Sequence, residues 1–358
     1  MADVAQSEKT KVKKGLRIDD NFLFKLARVF LLIYLVALCV FFIAYKVYPG
    51  PGFLVLCIFV YATYKKRAQR FMKDWFPFIA SLLAYDAMRG IVDNIAGIVH
   101  VTELINAELR LFGTIPTLLL QQFYRCPVLD WVGAFFYSLH FIVPVVFGFI
   151  LWNRFPENYQ KYSFALLVSS FSALITFLVY PSAPPWFGVG AERILFQMDG
   201  VIGVPLYATI YAFFQPNPFA ALPSIHAAYP WLIFLYAIKT KRTKALPTLI
   251  FPLGVCFSAV YLGEHYIIDL LAGIAYSTAA FFLVEKIATQ PFFVSLLRKF
   301  SGSQLRNTLA KRTLVLKNFR KPMSSPNDAK HISRKGKFSA SPGTKFFTLV
   351  SATQRRDL

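Results

Sequence analysis

Long, nearly charge-free apolar runs constrain this chain more than any other feature. A helix that crosses the hydrocarbon core of a bilayer needs ~20 mostly apolar residues, with ~17 to 25 the usual range. On that criterion spans are predicted at Val29–Tyr45, Phe76–Asn94, Val132–Leu151, Tyr162–Tyr180 and Ile268–Val284. Three shorter or interrupted runs, Gly52–Tyr64, His226–Ile238 and Leu246–Leu262, each close on a charge cluster, a proline or a polar motif. Together they make a set of about eight membrane spans. With 56% hydrophobic and only 16% charged residues, neither an ordinary soluble domain nor a disordered chain fits. The expected fold class is all-α, a polytopic membrane helical bundle.

The net charge of +21, from 39 Lys and Arg against 18 Asp and Glu, would suggest nucleic acid in a soluble protein. Here it is explained by topology, since cytoplasmic loops hold the excess of basic residues. With the amino terminus inside, 34 of the 39 basic residues fall in 1–28, Lys65–Lys73, Arg154 and Lys161, Lys239–Lys244 and the tail from Lys286. Lys46, Arg89, Arg110, Arg125 and Arg193 are the remainder. Both termini are therefore expected in the cytoplasm, and no nucleic-acid partner is expected. Trp75, Trp131, Trp152 and Trp186 fall at span ends, where amphipathic rings settle at the headgroup level.

These signals divide the chain into a basic cytoplasmic tail (1–28), amino-terminal spans (29–70), a larger membrane domain (71–286) and a basic tail (287–358) expected to be disordered. The first apolar run is too long for a signal peptide and lacks a small-residue cleavage site, so it is read as an uncleaved span. The carboxyl-terminal tail reads either as a solvated topogenic segment or as a surface drawn to anionic lipid. Cys39, Cys57 and Cys256 lie in predicted spans and Cys126 in an outer loop, which gives no disulfide framework and no Cys-x-x-Cys motif. No Walker loop, dinucleotide glycine signature or internal repeat is present, so no nucleotide or nicotinamide cofactor is expected.

Polar groups at membrane depth are costly, which makes them the natural place to look for function. Two clusters dominate. In Leu222-Pro223-Ser224-Ile225-His226-Ala227, a Pro-Ser turn opens a span. Ser224 is a helix-capping residue type, and the amides after it would face an anion such as phosphate. In Tyr261-Leu262-Gly263-Glu264-His265-Tyr266-Ile267-Ile268-Asp269, His265 and Asp269 are four apart and share a helix face. A carboxylate so placed fixes the imidazole tautomer and stabilises the imidazolium. The charge-derived topology puts both histidines at the outer surface. A single membrane histidine is more often a packing hydrogen-bond partner, but the paired motifs at one surface are much more specific.

Those two segments resemble the catalytic motifs of the type-2 phosphatidic acid phosphatase superfamily. The finer similarity is to its inositol phosphorylceramide synthase branch, carried also by Tyr85-Asp86-Ala87-Met88-Arg89-Gly90 and Pro184-Pro185-Trp186, over roughly residues 70–285. The resemblance implies a six-helix phosphatase-like core and a metal-independent, cofactor-free enzyme. It implies that His265 attacks phosphorus to form a phosphohistidine, that Asp269 orients it, and that His226 serves as acid and then base. Ser224, Arg89, Asp86 and Tyr261 would bind substrate. The implied reaction moves a phospho-headgroup, such as inositol phosphate, from a phospholipid to a lipid alcohol at the outer or lumenal face. That places the site outside a bacterial plasma membrane or in the lumen of eukaryotic Golgi or ER.

The chain departs from the broad superfamily in one respect. Ser258 holds the serine of its Ser-Arg pair, but Ala259 replaces the arginine, and the Lys-x6-Arg-Pro segment is missing. Positive charge for the phosphate must come from elsewhere, with Arg89 the first candidate and Arg193 the second; Arg89 could equally be an intramembrane ion pair with Asp86 or Asp93. His140, with Tyr137 and Ser138, reads first as a buried helix-packing hydrogen bond, Trp186 as an interfacial anchor, and His100 and His331 as loop residues. A metal site on His265 and Asp269 would need further ligands that only His226 and an acid such as Glu264 could supply. Competing functions are a lipid phosphate or polyprenyl diphosphate phosphatase, a non-catalytic lipid transporter or binding protein, and a scaffold recruited by its basic tail.

Overall fold

The computed structural model describes residues 20–44, 51–95, 98–203, 207–208 and 218–290. In chain order the helices are α1 (Asp20–Ala44), α2 (Pro51–Tyr64), α3 (Ala68–Ile95), α4 (Thr102–Phe112), α5 (Pro116–Tyr124), α6 (Pro127–Arg154) and α7 (Pro156–Val179). A short α8 (Pro185–Gly188) and α9 (Ile194–Ile202) precede α10 (Ile225–Lys241), a 3-10 segment (Arg242–Leu249), α11 (Ile250–Tyr261) and α12 (Ile267–Ile287). No β-strand occurs among the described residues, and the architecture is an all-α membrane bundle. Proline opens α5, α6 and α7, where the missing N–H would have had no helical partner and the fixed φ suits the first turn.

Each of the eight predicted spans falls on a helix. Among the described residues, four stretches are long and apolar enough to cross a membrane by length and composition: Pro127–Arg154, Pro156–Val179, Ile225–Tyr261 and Ile267–Ile287. The 37-residue stretch Ile225–Tyr261 is not one rod. Arg242, at φ 55°, and the 3-10 segment divide it into α10 and α11, which pack on each other, as the two separate runs at 226–238 and 246–262 predict. Arg28–Ala44 and Gly52–Tyr64 are shorter apolar helices, and α3 carries the 76–94 run. Lys46, the amino-terminal residues 1–19 and the tail from 291 lie outside the described residues, and with them the cytoplasmic-tail readings and His331.

Six long helices build the bundle: α10 lies against α12, α7, α6 and α11, while α3 packs on α7 and α6 on α11. Since α10 and α12 both begin at the histidine motifs and are joined near their ends by the ion pair between Lys239 and Glu285, they run parallel. At that far end a buried aromatic cluster of Phe71, Trp75, Trp152, Tyr159, Tyr162 and Tyr236 surrounds the carboxylate of Asp74. Asp74 accepts from Trp152 Nε1 (2.8 Å), Gln160 Nε2 (3.1 Å) and Arg70 Nε (3.1 Å), a buried charge with its donors supplied. Outward-facing residues such as Phe30, Ile33, Ile43, Val128 and Ile175 remain exposed, as a lipid-facing surface requires.

At the other end three loops are stitched together by backbone bonds. His100 N–H donates to Pro181 O (2.8 Å), Ala183 N–H to His100 O (2.9 Å), Ser182 N–H to Phe219 O (2.8 Å) and Leu222 N–H to Ser182 Oγ (2.9 Å). His100, read from sequence as a loop residue without a role, stacks on Tyr180 at 3.7 Å and bonds Glu103 at 2.9 Å. The connection between the third and fourth spans contains two helices not read as elements from the sequence. One of them, α4, buries Leu104 and Glu108 while exposing Leu111, so it covers the bundle end with one face.

Candidate active site

The site forms where α10 and α12 begin. Ser224 caps α10, its Oγ accepting from Ala227 N–H at 3.3 Å, which puts His226 in the first turn. At α12, Asp269 closes back on the Tyr266 amide, with Oδ2 accepting at 2.9 Å, and this fixes the turn that carries His265. The same Oδ2 lies 3.4 Å from His265 Nδ1. On the opposite side of that ring, His265 Nε2 meets His226 Nδ1 at 2.9 Å. Asp269, His265 and His226 therefore form one chain of contacts. Asp269 is fully buried and His265 nearly so.

This order assigns the protons. A carboxylate beside Nδ1 of His265 holds the hydrogen there and leaves Nε2 with its lone pair. His226 then donates from Nδ1 to that lone pair, an assignment made from the network and not from observed hydrogens. A lone pair aimed at a neighbouring acid is the arrangement a nucleophile and its proton partner need.

The helices are held unusually close. Ser224 N–H donates to Asp269 O at 2.9 Å, joining the two motifs through the backbone. A Cβ added to Gly273 would stand 2.1 Å from Ser224 O, so only glycine permits α12 to approach α10 this closely. At the turn before His265, Gly263 adopts φ +84°, and a Cβ there would meet Glu192 O at 2.5 Å.

Further residues surround the histidines. Tyr137 stacks on the His226 ring at 4.5 Å and His140 meets its edge at 4.0 Å. His140 Nδ1 donates to Tyr137 O in its own helix at 2.6 Å, so it combines a local packing bond with a place beside His226. Arg193 is gripped by Glu264 through Nε–Oε1 and Nη2–Oε2 contacts, each 3.2 Å, and lies over the rings of Trp186 (4.4 Å) and Phe196 (4.5 Å). Trp186 N–H bonds Gly263 O at 3.2 Å, which seats the Pro184-Pro185-Trp186 loop next to His265. Tyr261 is buried, and its hydroxyl donates to Asp130 at 2.5 Å. Asp86 and Arg89 lie on α3, but their side chains fall outside the described residues.

One buried acid had no signal in the sequence. Glu108 of α4 is fully buried, and its Oε1 accepts from Ile268 N–H at the start of α12, 3.0 Å away. Burial pushes its carboxyl above the usual glutamate range; the Ile268 amide opposes this and the nearby Asp269 carboxylate adds to it.

A polytopic helical bundle with a His-His-Asp chain at one end of two parallel helices is a membrane-embedded enzyme scaffold. The PAP2 superfamily model matches residues 102–283, from α4 through α12, and the chain belongs to that superfamily, in its inositol phosphorylceramide synthase-like branch. It is 30% identical over 219 residues to a phosphoinositol dihydroceramide synthase of Bacteroides thetaiotaomicron, covering 56% of this chain and 72% of that protein. It is 26% identical over 175 residues to the catalytic subunit of inositol phosphorylceramide synthase from Schizosaccharomyces pombe, covering 45% of this chain and 40% of that one. A 29% match over 121 residues links it to the Saccharomyces cerevisiae catalytic subunit, at 29% and 28% coverage. No solved structure matches the chain. The family match begins at residue 102, so α3, with Arg89 and Asp86, lies ahead of it.

Proposed function

We propose that this PAP2-type lipid phosphotransferase moves a phospho-headgroup, such as inositol phosphate, from a phospholipid to a lipid alcohol through a phosphohistidine on His265. The observation that carries the reading is the contact chain from Asp269 to His265 Nδ1 and from His265 Nε2 to His226. The Nε2 lone pair forms a P–N bond as the P–O bond to the departing lipid breaks, and His226 gives that oxygen its proton. The acceptor hydroxyl then forms a new P–O bond, His226 takes its proton, and the P–N bond breaks. Asp269 stabilises the imidazolium form of His265 in both halves. To react, phosphorus must come within ~3–3.5 Å of Nε2, so the substrate displaces the direct contact between the rings.

The reading calls for no metal, because protonation at His226 and amides at the start of α10 can carry the charge change. Ser224 belongs to that helix end, and Arg89 on α3, with Asp86 three residues earlier, supplies charge to the phosphate. Tyr261 acts through packing, since its hydroxyl is engaged by Asp130. The site faces the outside or lumen and both termini face the cytoplasm, a placement supported by the distribution of basic residues. The division into tails at 1–28 and 287–358, spans at 29–70 and a catalytic domain at 71–286 is part of the same proposal.

Incubating purified protein with labelled phosphatidylinositol, with and without ceramide, tests it. The expected result is label in the lipid-alcohol product and an acid-labile phosphoenzyme, both lost in His265→Ala. Release of headgroup phosphate to water at the same rate without acceptor would make the protein a phosphatase. Lipid binding or flux that survives His265→Ala would make it a transporter.

A further inference from the structure

We propose that Glu108 is a positioning residue for the nucleophile, holding the first turn of α12 so that Asp269 remains available to His265. The inference rests on the phosphohistidine reading above. At the start of a helix the first amides have no intrahelical acceptors and must be satisfied by something else. In α12 they are shared between two carboxylates. Asp269 takes the Tyr266 amide at 2.9 Å, and Glu108 takes the Ile268 amide at 3.0 Å.

The division matters because Asp269 is also the partner of His265. Its Oδ2 accepts from the Tyr266 amide and lies 3.4 Å from His265 Nδ1, while neither Oδ1 nor His265 Nδ1 has a hydrogen-bond partner among the described residues. Without Glu108, the Ile268 amide would be a buried donor with no acceptor, and the carboxylate nearest in the chain is that of Asp269. A carboxylate rotated toward that amide leaves His265 Nδ1, and the tautomer that puts the lone pair on Nε2 is no longer enforced. Glu108 reaches the turn from α4, a separate element 160 positions earlier, and is fully buried there. It touches neither histidine, so its action runs through the backbone of α12.

The experiment compares Glu108→Leu, Glu108→Gln, Asp269→Asn and the double variant Glu108→Leu/Asp269→Asn, in the full chain reconstituted in phosphatidylinositol-containing vesicles with ceramide. A misplaced reacting group costs on the order of 10²-fold in rate. Glu108→Leu is expected to lower kcat by about that factor with KM little changed. Glu108→Gln keeps an acceptor oxygen for the Ile268 amide and is expected to restore most of the rate. In the Asp269→Asn background, Glu108→Leu should add little further loss, because the group it protects is already gone. Full additivity of the two losses, or equal damage from Gln and Leu, would reduce Glu108 to a packing residue and overturn the proposal. If Glu108→Leu does not fold, Glu108→Met, of similar size and without an acceptor oxygen, and its double variant with Asp269→Asn carry the same test. Wild-type protein that forms no phosphoenzyme would overturn the underlying reading, whereas a normal wild type with a fully active Glu108→Leu variant overturns only the role of Glu108.

Discussion

The amide of Ser224 donates to the carbonyl oxygen of Asp269 at 2.9 Å, so two motifs some forty residues apart share a backbone hydrogen bond as well as a histidine contact. The separation of the two histidine rings is therefore set by main chain, which side-chain rotation cannot relax. Gly273 sits directly behind this bond. Replacing it with alanine would favour the helix by ~1 kcal/mol through propensity, but the clash with Ser224 O belongs to a class that costs ~1–3 kcal/mol in packed interiors. Gly273→Ala is expected to lower the thermal midpoint and to reduce kcat by about 10²-fold, measured as transfer per folded molecule.

His226 and His265 should fail differently. On the proposed mechanism, His265→Ala removes the atom that bonds phosphorus, so no phosphoenzyme is expected with any donor. His226→Ala removes proton transfer in both halves, each worth roughly 10²–10⁴-fold. A nitrophenyl ester of the headgroup phosphate has a leaving group that needs no proton. With it, His226→Ala is expected to accumulate phosphoenzyme that turns over slowly, detected by labelling with an alkaline quench.

Asp269→Asn keeps the shape of the side chain and an oxygen for the Tyr266 amide. That same oxygen faces His265 Nδ1, but the neutral amide no longer supplies the negative charge that stabilises the imidazolium form. A fall in kcat of about 10²–10⁴-fold with a nearly unchanged thermal midpoint is expected. A large loss of stability with near-normal activity per folded molecule would contradict that role for Asp269.

Asp74 gives the opposite pattern. Its carboxylate serves Trp152, Gln160 and Arg70 at the far end of the bundle from His265. Asp74→Leu leaves two buried donors without an acceptor, at about 1–3 kcal/mol each. The expected outcome is a markedly lower thermal midpoint, with transfer per folded molecule close to wild type.

Glu108 predicts a pH dependence of stability. Burial raises its folded-state pKa above the unfolded value, so between the two the native state binds more protons than the unfolded one. Stability from this group is therefore complete below the ordinary glutamate pKa and falls as pH rises toward the raised value. Glu108→Gln cannot titrate. The difference in thermal midpoint between Glu108→Gln and wild type, read across that window, should grow with pH in favour of the variant. Tyr266, His265 and Asp269 surround the same turn and are common to both proteins, so their titration cancels to first order.

The membrane bundle was legible because hydropathy is a local property: a run that must face lipid is apolar residue by residue, and 34 inner against five other basic residues set its expected orientation. His226, His265, Asp269 and Ser224 were legible too, since the spacing of His265 and Asp269 on one helix face and the capping type of Ser224 are written in consecutive residues. Glu108 was not. An acid in TELINAELRLF reads as part of a solvated face until α4 is laid across the start of α12. The grip of Glu264 on Arg193, the edge of His140 against His226 and the closeness that Gly273 allows were equally invisible. Sequence determined which helices exist and which atoms can do chemistry, because both follow from residue type and short-range period. Only the tertiary structure decided which groups meet, because those contacts join elements distant in the chain and depend on how closely the helices pack.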